Sequence, residues 1–148
     1  MSERRTLNRT AASATTHCLT GCAIGEVLGF VIGTWRGWGN AATIALAVAL
    51  AYVFGYSFTL RPLLRRRFRL RTAAWLAFAA DTLSITVMEI VDNGVIVAVP
   101  GAMEAGLDDL LLWVSLALAL AVAWVAAFPA NRWLIARGRG HALVHAHH

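Results

Sequence analysis

Four long apolar runs, at residues 16–35, 41–60, 73–99 and 107–128, constrain what this chain can become more than any other feature. Each is long enough to cross a hydrocarbon layer of about 30 Å as a helix rising about 1.5 Å per residue. In a bilayer every backbone N–H and C=O needs a partner within the protein, and a helix satisfies them inside one segment. The runs use most of the 148 residues, and the chain is 59% hydrophobic against 14% charged. Little is left for a separate water-facing domain. The expected fold is therefore all-α: one integral membrane domain over residues 1–148, built as a four-transmembrane-helix bundle.

Charge placement orients the bundle. The 13 basic residues are all arginine. Arg4, Arg5 and Arg9 precede the first run, and Arg132, Arg137 and Arg139 follow the fourth. Arg61, Arg65, Arg66, Arg67, Arg69 and Arg71 fill the connection at 61–72. The first connection has only Arg36, and the third carries Glu104, Asp108 and Asp109 instead. The excess of arginine on alternate connections predicts cytoplasmic N- and C-termini and a cytoplasmic 61–72 loop, in the cell's inner (plasma) membrane. The net charge of +5 is then a topology signal and a contact for anionic lipid, with no nucleic acid implied. Trp35, Trp38, Trp75, Trp113 and Trp133 fall near the expected boundaries, where amphipathic rings favour the headgroup region. Trp124 lies deeper, as a packing or lipid-facing ring.

Two targeting signals are faintly present. Arg4-Arg5 resembles part of a twin-arginine signal, and Leu19-Thr20-Gly21-Cys22 has the form of a lipoprotein cleavage box. Residues 9–17 are too polar to serve as the apolar stretch such signals need. The first run is expected to stay in the protein as a helix.

Polar groups inside these runs are the functional signal. An ionisable side chain at the bilayer centre costs roughly 2.5–3.5 kcal/mol on insertion scales. Yet His17, Cys18, Cys22 and Glu26 lie on the first run, and Asp81, Met88, Glu89 and Asp92 on the third. Gly21, Gly25, Gly29 and Gly33 recur every four residues, a stripe that lets helix backbones approach closely. Cys18 and Cys22 fall within about 60° of that stripe at about 100° per residue. They read as members of a close-packed interface, either as ligands or as small apolar side chains. Asp81, Ile85, Met88 and Asp92 share one helical face. Asn93-Gly94 is a turn signal that predicts a helix end or a break near Asp92, with Asp92 and Asn93 as an interfacial cap in the simplest reading. If the first and third helices pack along the glycine stripe, these groups form a polar ladder. Counted from the inner ends, His17 and Cys18 stand at the mouth and Glu26 is nearly level with Asp81. Tyr52, Tyr56 and Ser57 would add hydroxyls, and the fourth helix would shield the ladder from lipid.

Thiolate, thioether and imidazole suit copper(I) or zinc, while carboxylates also take protons and harder cations. The expected metal set is His17, Cys18, Cys22, Glu26, Asp81, Met88, Glu89 and Asp92. A secondary set lies in the tail at 137–148: His141, His145, His147 and His148, read either as metal capture or as an unstructured terminus. Cysteines one turn apart on a regular helix do not favour a disulfide. The chain has no CxxC pair, P-loop, Rossmann glycine motif or haem-attachment motif, so no enzyme activity is expected.

The combination of His17-Cys18-x3-Cys22-x3-Glu26, Phe54-Gly55-Tyr56 and Asp81-x2-Ser84-Ile85-x2-Met88-Glu89-x2-Asp92-Asn93 resembles a bacterial family of small four-span membrane proteins known only as a domain of unknown function. The resemblance covers about residues 16–135 and implies a fold and a membrane location rather than an activity. More locally, residues 23–29 are similar to the first helix of the small multidrug-resistance transporters, which use a membrane glutamate to exchange protons for cationic drugs. The cysteines and the acidic third helix depart from that group. Function then divides three ways. The leading expectation is a homo-oligomeric protein that binds, and transports, a soft or transition-metal cation of copper or zinc type. The alternatives are a proton-coupled cation or drug carrier working through Glu26, and a non-catalytic accessory or scaffold subunit of a membrane complex.

Overall fold

Small residues every four positions govern how the first two helices meet. The computed structural model describes residues 2–137. Among them the chain forms four helices and no strand: α1 Ser2–Arg36, α2 Asn40–Arg65, α3 Leu70–Ala98 and α4 Leu110–Ala136. All four are long and apolar enough to cross a membrane. Gly21 of α1 lies against Gly55 of α2, where an added Cβ would sit 2.8 Å from the Gly55 Cα. Gly25 meets Ala51, Gly29 meets Ala47 and Gly33 meets Thr43. The partners ascend by four on α1 and descend by four on α2, so the helices run antiparallel in near backbone contact. This corrects the expectation that the stripe would seat α3. The stripe is occupied by α2, whose buried side chains are Thr43, Ala47, Ala51, Gly55, Thr59 and Leu63.

The division of labour among the helices follows from how wide a face each one buries. On α2 a single row faces inward, and α4 is similar, with Ser115, Ala119, Ala123, Ala127 and Asn131 at four-residue steps. By contrast α1 and α3 each bury a broad face. Each of α2 and α4 packs against both α1 and α3, while α1 and α3 also face each other across the centre. Rings lie exposed near the helix ends, including Trp35, Trp75 and Trp133. Trp124 is a packing ring: its Nε1 donates to Thr16 Oγ1 at 3.1 Å and it stacks on Phe128.

Besides the ends of α2 and α4, which run on to Arg65 and Ala136, two helix limits differ from expectation. First, α1 begins at Ser2, 14 residues before the apolar run, because its N-terminal part packs on the end of α4. Ala11, Ala14 and Thr15 are buried there, and Arg132 Nε donates to Asn8 Oδ1 at 2.8 Å. At 35 residues α1 is about 50 Å long at about 1.5 Å per residue. Second, α3 continues unbroken through Asn93-Gly94 to Ala98. The Asn93 amide donates back to the Glu89 carbonyl at 2.9 Å, satisfying itself on its own helix instead of opening a turn.

These contacts set opposite outcomes for two glycines. In Gly25→Ala the new Cβ meets the Ala51 backbone, which has no flexible end to yield. A loss of about 1–3 kcal/mol in unfolding free energy is expected. Gly94 has nothing within 4 Å of the same position, so Gly94→Ala should gain about 0.5–1 kcal/mol. Unfolding titrations of the two variants in detergent micelles check both signs.

Candidate functional site

With the glycine face of α1 against α2, the adjoining face of α1 turns to the centre of the bundle. It carries Cys18, Cys22 and Glu26, all sealed from solvent. Opposite them α3 presents Asp81, Ser84, Ile85, Met88, Glu89 and Asp92, also buried. The α1–α3 ladder expected from spacing is therefore present, although its rungs are shifted.

The rungs follow one another along the axis. Nearest the arginine-bearing end, Asn131 Nδ2 of α4 donates to Thr15 Oγ1 and to Ser84 Oγ, each at 3.0 Å. The Cys18 thiol then donates to Asp81 Oδ1 at 3.4 Å. One turn further, Cys22 faces the Glu89 carboxyl with Cys18 nearby, and Ile85 and Met88 belong to the same buried cluster as the two cysteines. Last comes Glu26, whose carboxyl faces that of Asp92, with Glu89 and Asn93 alongside. Beyond it Phe30, Ile96, Ala102, Leu116 and Ala119 close the column with an apolar plug. At the other end Leu63, Ala73, Leu76 and Ala80 form a second apolar cluster.

This register corrects the expected depths. Glu26 faces Asp92, and Cys18 faces Asp81, because α1 and α3 run parallel with 63 to 67 residues between facing positions. Cys18 is not at the mouth, since the Asn131 rung and the long N-terminal part of α1 lie beyond it. His17 leaves the ladder altogether: its ring packs edge-on against Phe58 of α2 at 5.7 Å, on the α2-facing side of α1. Tyr52 and Tyr56 sit in the α2–α3 seam, bonded to Thr86 at 2.6 Å and Thr82 at 2.7 Å. Ser57 is exposed and bonds the Val53 carbonyl. The histidines His141, His145, His147 and His148 lie outside the described residues.

Sequence reasoning missed Thr15 and Asn131. Asn131 extends the row Ala119, Ala123, Ala127 by one more step of four, a signal that was available. It lies beyond the fourth apolar run at 107–128, on the part of α4 that continues past Pro129.

The electrostatics are one-sided. Asp81, Glu26, Glu89 and Asp92 are buried, and no described arginine is buried. Taken as carboxylates, both oxygens of Glu26, both of Asp92 and Oε1 of Glu89 have no hydrogen-bond donor. A donor reaches only the other Glu89 oxygen, from Asn93 Nδ2 at 3.3 Å. A proton shared by Glu26 and Asp92 would link the facing pair. Buried carboxylates need such a proton or a bound cation, because isolated charge in an apolar interior is strongly penalised. Among the described residues no three His, Cys, Asp or Glu side chains converge as a ready metal cage. The donors instead stand as facing pairs.

These features define a four-helix membrane-type bundle with a closed polar column between its two broad-faced helices. The chain belongs to the DUF4396 family, a domain of unknown function, whose model matches residues 7–140. No curated protein and no solved structure matches it.

The facing carboxyls predict an unusual tolerance. In Glu26→Gln the new amide can donate to Asp92, so stability in detergent should hold or rise by about 0.5–1.5 kcal/mol. Asn131→Ala breaks two buried hydrogen bonds and should lower it by about 1 kcal/mol. Thermal midpoints of the two variants against wild type test the contrast.

Proposed function

We propose that this protein binds a cation within the membrane in exchange for protons and passes it along the α1–α3 column, with a soft or transition-metal ion of copper or zinc type as cargo. The observation that carries this reading is the succession of buried facing pairs Cys22–Glu89 and Glu26–Asp92, with five carboxyl oxygens of Glu26, Glu89 and Asp92 left without a hydrogen-bond partner. Helix packing alone is a weak reason for such a cluster, since interhelical polar contacts average about 0.6 kcal/mol. Proton and cation are alternative ways to neutralise the same oxygens, so binding one displaces the other. Cys18 and Cys22 bias the column toward soft ions, and Asp81 and Glu89 beside them are acceptors for the thiol protons. No chemical conversion of a substrate belongs to this reading.

The positive-inside pattern supports an inner-membrane protein with both termini and the 61–72 loop in the cytoplasm. Anionic headgroups are the proposed partner of that loop. Because side chains fill the centre of one bundle, we propose that two or more copies assemble as a homo-oligomer for transport.

A second reading takes its support from the Glu26–Asp92 rung, which contains no sulfur: a proton-coupled carrier of other cations. Proteoliposomes with an internal pH dye and external copper(I) or zinc separate the two. Wild type should take up metal with outward proton movement, Glu26→Gln should lose both, and Cys18→Ser/Cys22→Ser should lose soft-metal uptake. Equal metal content and uptake in wild type and a Cys18→Ser/Cys22→Ser/Glu26→Gln variant would sink the metal reading. Proton-coupled flux of another cation, kept in the double serine variant and lost in Glu26→Gln, supports the second reading.

A further inference from the structure

We infer that Cys18, Cys22 and Met88 form a three-sulfur site selective for a soft monovalent cation, copper(I), over zinc. This deepens the cation reading above and rests on it. Three observations converge. Neither cysteine is in a disulfide and both are buried, and Met88 is buried with them in one packed cluster that also holds Ile85. The three sulfurs come from the two helices that face each other, so a bound ion would cross-link α1 to α3. Second, His17 packs on Phe58, and no three His, Cys, Asp or Glu side chains among the described residues converge on a common point. Structural zinc is almost always held by four nitrogen, sulfur or oxygen ligands in a tetrahedron, and that set is not assembled here. Third, two thiolates with a thioether need no further donor for copper(I), which accepts low coordination numbers and favours soft ligands.

Proton and charge balance for a monovalent ion close within the column. Binding forms two metal–sulfur bonds and breaks two S–H bonds, with no change in oxidation state. Asp81 Oδ1, 3.4 Å from the Cys18 sulfur, and the Glu89 carboxyl facing Cys22 are positioned to take the two protons. Two thiols and two carboxylates then become two thiolates and two carboxylic acids around one unit of positive charge. Release of a single further proton from the column makes the exchange electroneutral. A divalent ion would require two.

The test uses the full chain in detergent under reducing conditions, with His141, His145, His147 and His148 changed to alanine in every sample to silence the tail. Copper(I) and zinc are titrated separately against a competing chelator while thiolate-to-copper ultraviolet absorption is followed. We expect one copper(I) per chain with that absorption, lost in Cys18→Ser and in Cys22→Ser. Met88→Leu, which preserves volume, should keep the absorption with weakened affinity. Helical circular dichroism and monodispersity establish that each variant is folded, and Met88→Leu decides the matter if a serine variant is not. Zinc binding as tight as copper(I), copper(I) retained in the double serine variant, or an affinity indifferent to Met88→Leu would each overturn the three-sulfur site. Overturning it while Glu26-dependent cation–proton flux persists leaves the broader function standing. Loss of both removes both.

Discussion

Near-contact of two helix backbones is the constraint on which the rest of this bundle depends. Without Cβ atoms at Gly21, Gly25, Gly29 and Gly33, α1 seats α2 so closely that the row Thr43, Ala47, Ala51 and Gly55 fills the groove. That seam takes one side of α1, and the neighbouring side, with Cys18, Cys22 and Glu26, is left to meet α3. A bulkier residue in the stripe would rotate or displace α1 and carry the thiols away from Asp81 and Glu89. In lipid, where apolar side chains gain little by leaving their solvent, such close van der Waals contact is the main force holding helices together.

The polar column stands against this background as a deliberate expense of stability. Its upper rung is neutral and tied through the Asn131 amide nitrogen, which bridges Thr15 and Ser84 while Oδ1 has no partner. Its lower rungs are acidic and only partly tied. The gradient runs from hydrogen-bonded amide and hydroxyl, through thiol–carboxyl pairs, to facing carboxyls at Glu26 and Asp92. Groups that exist only to join helices are better served by the first kind. The last kind makes physical sense where a proton or cation is a regular occupant.

Much of this was legible in the sequence, for identifiable reasons. Length and apolarity fix four spans because a bilayer leaves the backbone no other solution. The shared face of Asp81, Met88 and Asp92 is a property of helical period, and so is the inward placement of Cys22 and Glu26. Partner choice was harder. A glycine stripe announces a close neighbour without saying which helix it is, and α2 took the place expected of α3. Register between α1 and α3 depends on where each helix starts, and α1 starts 14 residues earlier than its hydropathy suggests. Asn93-Gly94 read as a turn because local propensity favours one; the back-bond to Glu89 and the packing of α3 override it. His17 misled because adjacency to Cys18 in sequence is a turn of about 100° on the wheel, enough to send it to Phe58.

The apolar plug of Phe30, Ile96, Ala102, Leu116 and Ala119 has a consequence for the conformation seen here. An ion resting beside Glu26 would find greasy side chains below it and the leucine-lined cluster around Leu63 and Leu76 beyond the opposite end. In this state the protein is a stoppered vessel rather than a pipe. Under the proposed function, a cation in the column would leave only when the helices part.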